Sequence, residues 1–163
     1  MSGAITLRPA AATDASAVRD LTREAYAKWV AVIGREPKPM TADYAAAVRN
    51  HRIELLHVDA QFAALIETIP EADHLLIENV AVSPRFQGRG LGRLLLDHAE
   101  HLAGSLGYRE VRLYTNKLFA ANLRLYAMLG YCVDREAEFS GGIVVYMSKA
   151  VPPVAAGEDS ARG

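Results

Sequence analysis

Apolar residues recur along this chain with two periods, and each change of period marks an element. Ile5 to Pro9 alternates apolar with polar, as a short strand does, and stops at a proline. Beyond it, Val18, Leu21, Thr22, Ala25 and Trp29 fall at helical spacing, with Thr13 or Asp14 placed to cap the helix. Gly34 to Met40, carrying Pro37 and Pro39, predicts a break, and Thr41 restarts a shorter, Ala-rich helix through Asn50. Ile53 to Val58 and Gln61 to Ile69 read as strands with only Asp59 and Ala60 between them, which is hairpin spacing. His74 to Val82 is a third apolar run, so this stretch predicts an antiparallel meander.

From Gly88 to Leu106 the period becomes helical. Leu91, Leu94, Leu95, His98, Leu102 and Leu106 share one face, with Arg93, Asp97 and Glu100 outside it, and Gly107 ends the run. Glu110 to Thr115 predicts a strand, and Leu118 to Leu129 a helix closed by Gly130. On that helix Leu118, Ala121, Leu125, Met128 and Leu129 form the expected core stripe, while Phe119, Asn122 and Tyr126 lie on a second stripe about 100° away. Tyr131 to Glu138 and Ile143 to Ser148 read as closing strands around Ser140-Gly141-Gly142. The strand-helix-strand crossover over 75–115 brings its strands into one sheet. The pattern therefore predicts an α/β fold with a mixed, mostly antiparallel sheet of about seven strands flanked by about four helices. One domain is expected over 1–150, and a patternless, disordered tail over 151–163.

Composition narrows the classes. The 163 residues are 51% apolar and 23% charged, ordinary for a globular domain. Eighteen basic and nineteen acidic side chains leave a net charge of −1, with no bulk attraction for nucleic acid or an anionic membrane. Any anion handled here is held locally. Cys132 is the single cysteine, which excludes an internal disulfide and a multi-cysteine zinc cage, and it is expected as a small buried hydrophobe. His51, His57, His74 and His101 show no ligand spacing, so no metal is expected, and His98 reads as a core histidine. The start lacks a basic region followed by an apolar stretch, and no apolar run reaches membrane-spanning length. A cytoplasmic setting is the expectation.

The chemistry concentrates at Glu78-Asn79-Val80-Ala81-Val82-Ser83-Pro84-Arg85-Phe86-Gln87-Gly88-Arg89-Gly90-Leu91-Gly92. An apolar strand enters a turn with glycine at three alternate positions, and an amphipathic helix starts at once. Glycines allow positive φ and close backbone approach, and a helix start offers unpaired N–H groups with partial positive charge, so the segment suits a phosphate. Arg85, Arg89 and Arg93 stand near enough in sequence to add charge-assisted contacts. A dinucleotide fingerprint needs Gly-x-Gly-x-x-Gly and an acidic residue ending the next strand, but the next strand ends Tyr114-Thr115-Asn116. A P-loop needs Gly-Lys-Ser/Thr, and Gly92 is followed by Arg93.

Gln87-x-x-Gly90-x-Gly92, preceded by Val80-Ala81-Val82-Ser83-Pro84, resembles the acetyl-CoA pyrophosphate loop of the GNAT-type N-acetyltransferase superfamily. Leu125-Tyr126-Ala127-Met128-Leu129-Gly130-Tyr131 is similar to that superfamily's Leu-Tyr-x-x-x-Gly-Phe/Tyr segment, and the element order agrees over residues 4–149. The resemblance implies the acyl-CoA N-acyltransferase fold and transfer of acetyl from acetyl-CoA to a primary amine, on a small molecule or a protein. It implies cofactor contacts from Val80, Ala81, Val82, Gln87, Gly88, Arg89, Gly90, Leu91, Gly92 and Arg93, with a backbone N–H near Val80 facing the thioester oxygen. Tyr126 occupies the position of the family's acid. An asparagine often found seven positions before that tyrosine is Phe119 here, which leaves Asn122 to make the cofactor contact.

Glu78 alternates onto the strand face of Val80 and Val82 and reads either as the general base or as a strand glutamate that pairs with a surface cation or binds a substrate ammonium without taking its proton. Tyr26, Trp29, Arg35, Glu36 and Tyr44 are available for acceptor selectivity, with Trp29 also on a core stripe. Two other classes stay open: a non-catalytic acetyl-CoA sensor or interaction module of the same fold, and a dinucleotide binder. The closing strands 131–148 offer an edge for a homodimer.

Overall fold

A computed structural model describes residues 3–152. Its strands are β1 (Ile5–Pro9), β2 (Arg52–Val58), β3 (Gln61–Pro70), β4 (Leu75–Val82), β5 (Glu110–Asn116), β6 (Cys132–Phe139) and β7 (Gly142–Ala150). Its helices are α1 (Ala15–Ile33), α2 (Lys38–Thr41), α3 (Tyr44–Asn50), α4 (Leu91–Ser105) and α5 (Ala120–Met128). The strands hydrogen-bond in the order β1-β2-β3-β4-β5-β7-β6. This is the mixed, mostly antiparallel α/β sheet that the pattern predicts. The helix count is five rather than about four, because Lys38–Thr41 makes a turn of its own where the prolines predict only a break. Pro39 sits in its first turn, where a missing N–H costs nothing. Asp43 then caps α3 by accepting from Ala46 N at 3.1 Å, so the Ala-rich helix starts at Tyr44 and not at Thr41.

The described residues group into two compact units. The first holds the chain up to Ile69 together with Glu78–Leu96. Strands β1, β2 and β3 pair in sequence order there, β1 to β2 and β2 to β3 antiparallel. Asp59 and Ala60 both have positive φ, the mirror-image turn that a two-residue hairpin demands. Val18, Leu21 and Ala25 of α1, Tyr44 and Ala47 of α3, and Ile53, Leu55, Leu65 and Ala81 of the strands form one apolar cluster. Asp14 stands at the start of α1 without capping it. Its carboxylate turns back to Ala11 N at 2.7 Å and to Arg8.

The second unit holds Pro70–Ile77 and the residues from Asp97 on. Here β4 runs parallel to β5, from Leu75↔Val111 to Ile77↔Leu113, as the crossover predicts, and β7 pairs antiparallel with β5 and with β6. Cys132 is exposed rather than buried, because β6 is an edge strand with nearly every residue open to solvent. The predicted core stripe of α5 is also overturned: Leu118 is 58% and Met128 72% exposed, Ala121 is exposed, and no residue of α5 is buried. On α4 the buried set is Leu91, Leu95, Leu96, Ala99, Leu102 and Ala103, so the stripe is turned relative to prediction; Leu94 and His98 are half-buried and Leu106 is exposed. Val151, assigned to the tail by pattern, is buried and donates its N–H to Arg109 O at 2.9 Å. The rest of the expected tail, from residue 153, lies outside the described residues.

Candidate active site

Strand β4 alternates strictly between buried and half-buried positions. Leu75, Ile77, Asn79 and Ala81 face inward, so Glu78, Val80 and Val82 share the other face, as the alternation predicts. The Glu78 carboxylate has Lys38 Nζ 3.9 Å from Oε1.

The inward-facing Asn79 is a site residue that pattern reading passes over. It is 3% exposed, accepts from the Tyr26 hydroxyl at 3.0 Å, and donates through Nδ2 toward Thr22 Oγ1 and Tyr44 Oη, both at 3.3 Å. Tyr44 Oη donates to Pro39 O at 2.7 Å. A single polar residue at the buried parity of an otherwise apolar strand is the signal that could have found this network. It ties α1 and the α2–α3 segment to β4, and it takes Tyr26 and Tyr44 out of the set of open selectivity residues. Burial pushes the Tyr44 hydroxyl's pKa up.

A second polar pair has one buried and one half-buried partner. Glu67 of β3 is 3% exposed and meets His51 Nδ1 at 2.5 Å. Burial raises its pKa, His51 opposes the rise, and the Glu78 charge adds to it.

After Val82 the chain makes a short helical turn over Pro84–Phe86, which buries Phe86. Gln87 donates through Nε2 to Val82 O at 3.1 Å, closing the turn back on the strand. Gly88 and Gly90 both have φ of 78°, and a side chain added at either would meet nothing within 4 Å. Backbone conformation, not crowding, is therefore what asks for glycine there. Residues 87–90 are exposed. The first bond of α4 runs from Leu94 N to Gly90 O at 3.0 Å, so the N–H groups of Leu91, Gly92 and Arg93 precede the helical ladder. Arg85 and Arg89 hold their guanidinium groups 5.7 and 5.1 Å from the Phe86 ring centre. An exposed turn of left-handed glycines, three leading amides and two guanidinium groups fits a diphosphate.

Glu78, Val80, Ala81, Val82 and the turn from Gln87 to Arg93 thus follow one another on one strand, turn and helix start of the first unit. Asn122 and Tyr126 stand on α5 of the second. Both are half-buried, one turn apart, as the spacing requires. The Tyr126 ring meets Tyr131 edge-on at 5.9 Å between centres. Burial alone pushes the Tyr126 hydroxyl's pKa up to about 12. Phe119 is buried at the start of α5, a core position and not one open to a ligand. Among the described residues no cluster of three His, Cys, Asp or Glu gathers as metal ligands.

The family model described as "Acetyltransferase (GNAT) family" matches residues 17–131 of this chain. The chain belongs to that family. It is 37% identical over 76 residues to the [ribosomal protein bS18]-alanine N-acetyltransferase of Salmonella typhimurium, a match over 47% of this chain and 51% of the relative. The chain thus spans about half the length of the curated relative it matches. Among solved structures it superposes on a PaiA N-acetyltransferase of Thermoplasma acidophilum in complex with coenzyme A, at a TM-score of 0.77 and 18% identity, over 90% of this chain and 99% of that one. The ribosomal-protein-S18-alanine N-acetyltransferase of Escherichia coli gives 0.76 at 21%, over 94% and 97%. Both likenesses show the acyltransferase fold.

Proposed function

We propose that this protein is an N-acetyltransferase that moves acetyl from acetyl-CoA to a primary amine by direct attack in a ternary complex. The observation that carries the reading is the run from Glu78 to Arg93. A strand face bearing a carboxylate leads without interruption into an exposed turn of left-handed glycines at a helix start. The family membership and the coenzyme A bound in the Thermoplasma neighbour support the same cofactor here.

In this reading Gln87 to Arg93 holds the pyrophosphate, and Val80 to Val82 offers its backbone to the pantetheine arm, with Asn122 adding a side-chain contact. Acetyl-CoA supplies a thioester. Glu78 takes one proton from the acceptor ammonium, the N–H of Val80 donates to the carbonyl oxygen as charge builds on it, and Tyr126 gives its proton to the departing thiolate while the second proton on the nitrogen replaces it as the amide forms. The raised pKa of Tyr126 keeps that proton in place at neutral pH. The acceptor is an amine on a small molecule or a protein, and the relative from Salmonella, a ribosomal-protein alanine N-acetyltransferase, supports a protein amine.

The test is thiol release from acetyl-CoA with a panel of small amines, amino acids and peptides beginning with alanine. Release with at least one acceptor, and loss of the acidic limb of the pH–rate profile in Glu78→Gln, are the expected results. Thermal stabilisation by acetyl-CoA without release on any amine would instead leave a binding module.

A further inference from the structure

The chain has four lysines, and three of them face groups away from the Glu78 carboxylate. Lys117 pairs with Glu136 at 2.9 Å, Lys149 pairs with Glu100 at 3.0 Å, and Lys28 reaches Gln87 Oε1 at 3.5 Å while lying over the Trp29 ring. Lys38 is different. It opens the single-turn helix α2, its side chain is 65% exposed, and Nζ comes within 3.9 Å of Glu78 Oε1.

Glu78 and Val80 are two residues apart on the same face of β4, which separates them by roughly 7 Å along the strand. An ammonium held on the Glu78 carboxylate is therefore within one side chain's reach of the Val80 amide, where the acetyl-transfer reading puts the thioester carbonyl. The α2 segment is also anchored. Pro39 O accepts from Tyr44 Oη, and Met40 O accepts from Arg23 at 2.7 Å, so the lysine stem starts from a fixed backbone. The chain presents its own primary amine to its own base.

From this juxtaposition we infer that Lys38 is a self-acetylation site, modified in cis at the enzyme's own centre; the inference rests on the acetyl-transfer reading above. The Lys38 ammonium gives a proton to Glu78, and the freed amine forms a C–N bond with the acetyl carbon as the C–S bond breaks. Coenzyme A leaves as thiolate and takes the Tyr126 proton, and the second proton on the nitrogen passes to the Tyr126 oxygen as the amide forms, so the products are Nε-acetyl-Lys38, free coenzyme A and one proton that Glu78 returns to water. The modification removes a cation that competes with an acceptor ammonium for Glu78.

Full-length protein is incubated with isotope-labelled acetyl-CoA without acceptor and followed by intact-mass and peptide-mapping mass spectrometry. One acetyl group per chain is expected, on Lys38, with a first-order rate independent of protein concentration. The rate falls at least about tenfold in Glu78→Gln, and the label is absent in Lys38→Arg. Label spread over Lys28, Lys117 and Lys149, a rate unchanged in Glu78→Gln, or no label at all overturns the inference. The amine panel, run on the same preparation, reports separately whether acetyl transfer itself stands.

Discussion

The Tyr26 hydroxyl donates to Asn79 Oδ1 across 3.0 Å, which ties helix α1 to the middle of strand β4. The residues either side of Asn79 are Glu78 and Val80, on the opposite face, so this buried contact sets where the proposed base and amide donor stand. Removing the asparagine takes the acceptor from Tyr26 and one donor from each of Thr22 and Tyr44, and opens a gap at a position 3% exposed. Asn79→Ala is expected to cost about 2–4 kcal/mol, a fall of roughly 5–10 °C in Tm, and Tyr26→Phe about 1 kcal/mol. Thermal melting measures both, and an unchanged Tm in Asn79→Ala would mean that the network carries no stability.

Tyr126→Phe keeps the ring that meets Tyr131 edge-on and deletes only the hydroxyl. If that hydroxyl is the acid, kcat falls at least about a hundredfold while Tm stays within about 2 °C. Burial raises the folded pKa to about 12, so ionisation of this residue produces no loss of rate between about pH 7 and 10. Wild-type turnover in Tyr126→Phe would reduce Tyr126 to packing.

Acid stability has a separate source. Asp14 accepts from Arg8 and from Ala11 N, and these contacts hold its carboxyl down at about 2, against an ordinary value of 3.8. The folded value lies below the unfolded one, so the unfolded chain binds the proton more readily. The stabilisation is full above about pH 4 and is lost as pH falls through about 2. Asp14→Asn should lower Tm at pH 7 and flatten its fall between about pH 4 and 2. Parallel wild-type and variant curves over that window would remove Asp14 as a contributor.

What the sequence encodes locally was legible, and what depends on tertiary partners was not. The hairpin at Asp59-Ala60, the crossover into β5 and the Gly88–Gly92 turn are specified by spacing and by backbone conformations that few residues adopt. Helix α5 has apolar residues all round, so no stripe in it says which side is covered, and the expected core positions Leu118, Ala121 and Met128 proved exposed. Cys132 differs: Asp134, Arg135, Glu136 and Glu138 do announce β6 as a solvent-exposed strand, and the buried expectation followed only from the usual burial of a free cysteine. The Lys38 approach to Glu78 joins residues 40 positions apart across a proline-bearing turn, beyond the reach of any periodicity.

The glycine turn separates conformation from contact. Gly90 has φ of 78° in an exposed loop, so alanine there lets the free protein relax and defers a cost of about 1–2 kcal/mol to the moment a ligand demands the left-handed form. Gly90→Ala should weaken coenzyme A binding by about tenfold with little change in Tm. Gly92 lies inside α4, and an added Cβ would come no closer than 3.9 Å, to Val82 Cγ2, which is ordinary contact. Gly92→Ala is therefore expected to raise Tm by about 2–4 °C through helix propensity, with binding within about threefold of wild type. Calorimetric titration with coenzyme A alongside melting distinguishes the two positions. Equal losses of affinity at both would show that the ligand touches the Gly92 backbone too closely for any side chain, and that close approach, not the left-handed turn, selects glycine in this loop.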